Sequence, residues 1–279
     1  MTEGHVEISY GPLEIGVHVC GEKEAVEVCA QRSSGVAKRL LGEVLNFLPI
    51  LKLKGRDIKV KYRWPGVVRR MIEAVQQIDP ATLTPMAAVA GAIADELLMD
   101  LEEGVAGSGV SSIVINNGGD MAIDLRDAPI NVGIRGAWKK RGDMRRIQID
   151  RALSPFGVAT SGWRGRSFSQ GIADVVVAVA ASGAVADAAA TYLGNHVNDE
   201  SIRNVKKCRA VELDPETDIP DTWVTISCGT LKEHEKRRAL QNGEKMAWRL
   251  AWRGLIFGAG MYLQGESVEV VGVKGIIFN

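Results

Sequence analysis

Two side chains on a predicted helix have the chemistry and the spacing of a metal-binding pair. Asp187 and Thr191 lie four residues apart in the segment Ala186-Asp187-Ala188-Ala189-Ala190-Thr191, so on a helix their oxygens share one face. The alanines between them leave that face uncrowded. A carboxylate and a hydroxyl are hard oxygen ligands that suit Mg²⁺, which keeps waters and takes phosphate oxygens from a nucleotide. The alternative is an alanine-rich core helix whose Asp and Thr bond to neighbouring backbone.

A second candidate is the segment Asn116-Asn117-Gly118-Gly119-Asp120 between two predicted strands. Adjacent glycines allow positive φ and let a ligand approach the backbone, while the Asp120 carboxylate can orient a hydroxyl or an amide. The same sequence is favoured in an ordinary hairpin turn for conformational reasons alone. Both interpretations, a ligand-binding turn and a plain hairpin, stay open.

Hydrogen-bond donors are concentrated in the predicted loop 159–174. It contains three glycines, four hydroxyls and two arginines. Free backbone N–H groups, hydroxyls and guanidinium groups together form the chemistry of a phosphate or oxyanion cradle. The alternative is a solvated loop whose arginines pair with surface acids. The candidate ligand-binding residues of this loop are Thr160, Ser161, Gly162, Arg164, Arg166, Ser167 and Ser169.

Composition and charge exclude several classes of protein. The chain has 279 residues, 46% of them hydrophobic, so it can bury a large core. It has 31 glycines but only six Trp, four Tyr and five Phe. Its 34 basic and 34 acidic residues give a net charge of zero. The basic segment 138–146 could contact nucleic acid, but a solvated charged turn is the commoner case, so we expect no nucleic-acid partner.

Compartment is predicted from three negative features of the sequence. The first seven residues contain two acids and no apolar stretch, which is unlike a secretory signal. The most apolar segment, 172–190, is interrupted by two aspartates, which disfavours a membrane span. The four cysteines form no Cys-x-x-Cys pair, so nothing supports a zinc site. We therefore expect a cytoplasmic protein without membrane contact.

The elements that must position these groups are predicted from periodicity and turn residues. The pattern indicates an α+β protein with mostly antiparallel sheet and packed helices. A hairpin is predicted around Gly11-Pro12, a central buried strand over 175–181 and a closing hairpin near the end of the chain. Further strands are predicted at 112–116, 121–125, 130–135, 146–149 and 223–227. The segment 22–48 is predicted to form one or two helices, broken near Ser33-Ser34-Gly35. Further helices are predicted from Pro65-Gly66 to 79, from Thr84-Pro85 to 101, and at 184–193 and 232–250.

Four motifs in this order resemble the ApbE superfamily of FAD:protein FMN transferases, and a cytosolic branch of it most of all. They are the segment 84–95, Asn117-Gly118-Gly119-Asp120, Ala159-Thr160-Ser161-Gly162 and the segment 186–191. The resemblance implies the flavin transferase fold, as a single domain over 1–279 or as two intimately packed subdomains.

The resemblance also implies a ligand set. Asp187 and Thr191 would bind Mg²⁺ together with a backbone carbonyl near Val89. FAD or FMN would occupy a pocket shaped by the glycine turn and the Thr-Ser-Gly segment. The resemblance places eight residues in or beside that pocket: Asp95, Asn117, Gly118, Gly119, Asp120, Thr160, Ser161 and Gly162.

Two departures from the family pattern bear on activity. The His-x-x-Asp element of the transferases, whose His assists proton removal from the acceptor threonine, is matched by Gly171-Ile172-Ala173-Asp174. Asp174 is kept as a catalytic candidate, but glycine offers no base. The Lys of the family's Ala-Lys-Gly helix start is matched by Ala90, and Arg164 or Arg166 could supply the missing charge.

Three functions follow as alternatives. The first is an enzyme on FAD or a related nucleotide, acting by FMN transfer or by pyrophosphate cleavage. The second is a non-catalytic or accessory protein that keeps the pocket, connected by resemblance with sulfur assimilation towards homocysteine. The third is nucleic-acid binding by the segment 138–146, which we do not expect. The apolar segment Leu255-Ile256-Phe257 and the Trp248/Trp252 pair lead us to expect a homodimer.

Overall fold

A computed structural model describes residues 1–135 and 145–279. Within them the helices are α1 (Lys23–Asn46), α2 (Leu48–Leu51), α3 (Gly66–Ile78), α4 (Val89–Gly104), α5 (Gly183–His196) and α6 (Glu233–Trp252). The strands are β1 (Thr2–Tyr10), β2 (Leu13–Gly21), β3 (Val110–Asn117), β4 (Asp120–Leu125), β5 (Ile130–Ile134), β6 (Arg145–Ile149), β7 (Phe156–Ser161), β8 (Val175–Ala180), β9 (Val205–Arg209), β10 (Trp223–Cys228), β11 (Gly258–Leu263), β12 (Glu266–Val271) and β13 (Ile276–Phe278).

The main sheet contains eight antiparallel strands in the order β1-β2-β3-β4-β7-β8-β11-β12. A three-stranded sheet has the order β13-β6-β5, and β9 pairs with β10. Long helices pack against the main sheet. The predicted α+β architecture with mostly antiparallel strands is therefore confirmed.

Strand β8 lies between two hydrophobic cores, which explains its unbroken apolar sequence. Alternate side chains of a strand point to opposite faces of the sheet. Val176, Ala178 and Ala180 join the core that the helices form, while Val175, Val177 and Val179 join the core under the three-stranded sheet. Both faces are covered, so every residue of the strand is buried.

Helices α4 and α5 approach each other through glycine. A Cβ atom on Gly91 would lie 2.8 Å from the nitrogen of Ala184 and still closer to the Gly183 carbonyl. A Cβ on Gly183 would lie 2.8 Å from the Gly91 carbonyl oxygen. The two helix N-termini are thus in backbone contact, beside strands β4 and β7.

Several predicted boundaries differ from the structure. The predicted break in the first helix is wrong, because α1 runs through Ser33, whose hydroxyl donates to the Cys29 carbonyl of the preceding turn. The segment Pro85–Ala88 is a 3₁₀ turn, and the α-helix begins only at Val89. Helix α5 continues through Gly194 to His196.

Three strands were not predicted. The residues Thr160 and Ser161, expected in a loop, end strand β7, which pairs with β4 and β8 in the middle of the sheet. The charged segment before β10 contains β9, and the chain's last strand, β13, is only three residues long. The predicted basic segment 138–146 falls mainly outside the described residues. No helix within the described ranges is long and apolar enough to cross a membrane.

Candidate functional site

The hairpin between β3 and β4 turns through two glycines in the left-handed region. Asn117 pairs with Asp120, and Gly118 and Gly119 between them have φ of +67° and +112°. The N–H of Gly118 donates to the Glu14 carbonyl at 3.0 Å, and that of Gly119 donates to Asn116 Oδ1 at 2.8 Å. These two amides are therefore already bonded. The glycines contribute conformation and room, since Arg166 lies against Gly118 where a side chain would stand.

Asp120 begins β4 directly after this turn. Its Oδ1 accepts a hydrogen bond from the Thr160 N–H at 3.1 Å, which joins the turn to β7. Burial raises the pKa of the Asp120 carboxyl to about 6, although the Thr160 amide and the charge of Arg166 lower it. The expected neighbourhood of Asp120, Thr160 and Arg166 thus exists in the fold.

The two loop arginines have different surroundings. Arg164 donates from Nε to Asp174 Oδ1 at 3.0 Å, and its guanidinium lies 4.7 Å from the centre of the Trp163 ring. Arg166 makes one long hydrogen bond, 3.4 Å from Nη2 to the Gly118 carbonyl, and has no ion pair among the described residues, although both arginines are exposed. Of these two cations, Arg166 is the one available to an anion beside the glycine turn.

Asp174, the predicted catalytic candidate, holds the loop to the sheet. Besides the ion pair with Arg164, its Oδ2 accepts from the backbone N–H of Gln264 at 2.6 Å. Both carboxylate oxygens are thus used within the fold. The geometry assigns Asp174 an anchoring role.

Asp187 is a buried carboxylate at the start of α5. Its Oδ2 accepts from the Gly91 N–H in the first turn of α4 at 3.1 Å. Burial, and next the negative charge of Asp120, raise its pKa well above the usual range, while the Gly91 and Ala90 amides lower it. The Asn117 amide group donates to the Ala90 carbonyl at 3.2 Å, so the glycine turn and both helices meet here.

Asp95 is the counterpart of Asp187 on helix α4. Its two oxygens accept from the N–H groups of Gly183 and Ala184, at 2.7 and 2.9 Å. The Arg70 guanidinium lies 3.8 Å away and lowers the pKa that burial raises. Asp95 therefore has a positive partner, whereas the charges that act on Asp187 are those of Asp120 and Asp95.

The remaining predicted residues lie further along α5 and the loop. Ser161 and Ser169 both lie near Gly194, where a Cβ would be 3.4 and 3.9 Å from their hydroxyl oxygens. Gly162 has φ of +153°, and a Cβ there would lie 2.5 Å from the Asp174 carbonyl oxygen. Ser167 is exposed. Ser161 and Ser169 therefore lie near the C-terminal part of α5, about two turns from Asp187.

Position 171, where the resembled family has its His, is closed to side chains. A Cβ on Gly171 would lie 2.8 Å from the Val197 carbonyl oxygen and 3.1 Å from that of Asn195, with the Gly194 oxygen closer still. The Gly171 N–H donates to Ser169 Oγ at 3.2 Å. The loop backbone therefore packs on the C-terminal turn of α5.

The donor set near Asp187 fits a hard divalent cation. The described residues contain no group of three or more His, Cys, Asp and Glu that could hold a metal ion. A metal here would therefore need oxygen from Asp187, from the half-buried Thr191 one turn along, from backbone near Val89 and from the ligand or water. Such a set suits Mg²⁺ and disfavours zinc.

Sequence reasoning missed two members of this site. Arg70, on α3, compensates Asp95, and the Gly91 amide bonds to Asp187. Gly91 lies in the first turn of an alanine-rich helix. Its small size is the one feature of the sequence that could have indicated a close contact between helices. Nothing in the spacing of Arg70 pointed to Asp95.

Comparison with known proteins identifies a matching family and similar sequences. A family model described as AbpE bacteria matches residues 1–269. A UPF0280 protein of Methanothrix thermoacetophila is 34% identical over 200 residues, which cover 71% of this chain and 79% of the relative.

Two solved structures share the fold. One is the apbe protein of Thermotoga maritima, with a TM-score of 0.53 and 10% identity over 96% of this chain and 97% of that one. The other is the apo form of the flavinyl transferase ApbE of Pseudomonas stutzeri, with a TM-score of 0.53 and 12% identity over 100% and 94%. At such identities the likeness establishes the fold expected from the motifs.

Proposed function

Because the chain belongs to the AbpE bacteria family, and because its fold gathers buried carboxylates beside an exposed arginine, we propose that it binds a flavin nucleotide together with Mg²⁺. The observation that carries this proposal is the state of Asp187. Its carboxylate is buried, the charge of Asp120 acts unfavourably on it, and no lysine, arginine or histidine of the described residues forms an ion pair with it within 4.0 Å. A bound cation would remove that electrostatic cost.

The residues that would hold the ion are those predicted from the sequence. They are the Asp187 carboxylate, the Thr191 hydroxyl and the backbone carbonyl of Val89. When bound, Mg²⁺ would neutralise phosphate oxygens of the nucleotide. Arg166, exposed beside the glycine turn, would pair with a phosphate, and Asp120, fixed by the Thr160 amide, would accept a hydrogen bond from a ligand hydroxyl.

Gly171 bears on which activity this site supports, because it disfavours the transfer of FMN. Transfer of FMN to a protein hydroxyl requires a base, and position 171 has neither a side chain nor room for one. Binding without transfer, or cleavage of the FAD pyrophosphate by water, is compatible with the residues present. A homodimer, a cytoplasmic location and a role in sulfur assimilation stay predictions.

Thermal denaturation with FAD, FMN, ATP and ADP, each with and without Mg²⁺, tests the proposal. A ligand at a hundred times its dissociation constant stabilises by about 2.7 kcal/mol, and we expect FAD with Mg²⁺ to produce such a shift. The variant Asp187→Asn keeps an oxygen for the Gly91 amide and loses the charge, so its Mg²⁺-dependent shift should vanish. Asp124→Asn, another buried carboxylate, is the matched control and should keep the shift.

Two results would count against the proposal. One is the absence of a shift with every nucleotide in the wild-type protein. The other is an equal Mg²⁺-dependent shift in wild-type and Asp187→Asn protein. Chromatography of the incubated nucleotides separates binding from cleavage, because cleavage of FAD releases FMN and AMP.

A further inference from the structure

Helices α4 and α5 cap each other's N-termini with buried aspartates. Asp95 of α4 accepts from the Gly183 and Ala184 amides that begin α5. In return, Asp187 of α5 accepts from the Gly91 amide in the first turn of α4. First-turn amides have no partner inside their own helix, and a carboxylate there also interacts favourably with the helix dipole.

The close contact between the two helices holds these reciprocal hydrogen bonds in place. A Cβ on Gly183 would lie 2.8 Å from the Gly91 carbonyl oxygen and 3.0 Å from Asp95 Oδ1. The two first turns therefore touch along their backbones, with the carboxylates on either side. Neither helix can slide or rotate at its N-terminus without breaking hydrogen bonds to the other.

The two carboxylates differ in their charge partners. Asp95 lies 3.8 Å from Arg70, which also bonds to Glu96 at 3.0 Å. Asp187 faces the charge of Asp120 instead. Both carboxylates thus accept hydrogen bonds from backbone amides, but only the charge of Asp95 is offset by an arginine, while that of Asp187 is left to be compensated.

We infer that Asp95 is a positioning residue for the metal site at Asp187. By fixing the first turn of α5, it sets the direction in which Asp187 and Thr191, one turn apart, present their oxygens. This inference rests on the proposed function. Both oxygens of Asp95 are occupied by backbone amides, so its effect on a ligand passes through α5 and not through direct contact.

Binding of Mn²⁺, counted as the loss of the free-ion electron paramagnetic resonance signal and reversed by added Mg²⁺, tests the inference. Partners that orient metal ligands typically contribute about 10–100-fold to metal affinity, and we expect a loss of that size in Asp95→Ala. Asp95→Asn retains one accepting oxygen and should give an intermediate affinity. Ile147→Ala, in the core under the three-stranded sheet, is the control for destabilisation alone and should bind as the wild type does.

All proteins are compared well below the melting temperature of the least stable variant, so that lost affinity does not report unfolding. If Asp95→Ala does not fold, Asp95→Asn provides the comparison. Hydrogen exchange of the wild-type protein adds a test without mutation, since Mn²⁺ should slow exchange at the Gly183 and Ala184 amides as well as at Gly91.

The outcomes separate the two proposals. A wild-type protein that binds no Mn²⁺ overturns the proposed function and, with it, the basis of this inference. Wild-type binding that persists unchanged in the Asp95 variants overturns the positioning role alone. Metal-induced protection confined to Gly91 also overturns it, because α5 would then not be held through Asp95.

Discussion

Substitution of Gly171 addresses whether the family's base could be restored in this protein. In Gly171→Ala, the new Cβ would meet three backbone carbonyls at the end of α5, with 2.8 Å to that of Val197 and 3.1 Å to that of Asn195. Carbon atoms in ordinary contact stand about 3.5–4.0 Å from their neighbours. The loop must therefore move away from α5 by about 0.7 Å to clear the Val197 oxygen, and further to clear the nearer Gly194 oxygen.

The opposing carbonyls cannot turn aside at low cost. The Val197 oxygen accepts from the Ile172 N–H at 2.9 Å, and the Val197 N–H donates to Leu193 at 3.0 Å. Moving the loop would stretch the first of these bonds and the contact of Gly171 with Ser169. We expect a loss of about 3 kcal/mol in the free energy of unfolding, at the upper end of the range for overpacked sites.

Urea unfolding of the wild type, Gly171→Ala and Gly35→Ala measures this effect. Gly35 is an exposed position inside α1, and a Cβ there would have nothing within 4 Å. The same chemical change should therefore stabilise the protein at Gly35, by about 0.5–1 kcal/mol, because alanine favours a helix. The pair of substitutions separates the local steric effect from the general effect of replacing glycine.

Gly171→His extends the test to function. Its Cβ meets the same carbonyls, so we expect destabilisation at least as large and no flavin transfer from FAD to a threonine-containing acceptor peptide. The steric reasoning is refuted if Gly171→Ala is as stable as the wild type. It is equally refuted if Gly171→His folds with wild-type stability and transfers flavin.

Two further outcomes are expected. Burial and the charge of Asp124 raise the pKa of Glu102 from 4.5 to about 7. In that interval the folded protein holds a proton that the unfolded chain has lost, so the free energy of unfolding falls as pH rises. For a partly exposed group this fall amounts to about 1 kcal/mol, and Glu102→Gln should remove it. Urea unfolding of both proteins near pH 4.5 and near pH 7 measures the effect, and an equal dependence on pH in the variant and the wild type would contradict it. Arg166→Met should reduce the FAD-induced thermal shift at unchanged stability, whereas Arg164→Met should cost about 2 kcal/mol by freeing buried Asp174. Equal effects of the two arginine substitutions on FAD binding would contradict their assigned roles.

The sequence alone determined the class of fold and the order of the motifs. Alternating residues predicted the first hairpin, and the unbroken apolar run predicted β8 as a strand covered on both faces. These signals are local, because side-chain direction repeats every two residues in a strand and helix faces repeat about every 3.6 residues. Strand β7 escaped this reasoning because its Thr160 and Ser161 are polar while its pairing with β4 and β8 is long-range.

Only the tertiary structure decided what each candidate residue does. Asp95 bonds to amides 88 and 89 residues away, and Asp120 to one 40 residues away, so no local pattern could reveal these partners. The same holds for the two exposed arginines, because Arg164 forms an ion pair with Asp174 and Arg166 makes only a long hydrogen bond to the Gly118 carbonyl. Gly171, which in the sequence is simply a missing His, is in the structure a contact between two backbones. Spacing supplies the chemical groups, but their hydrogen-bond partners, charges and room come from segments that only folding brings together.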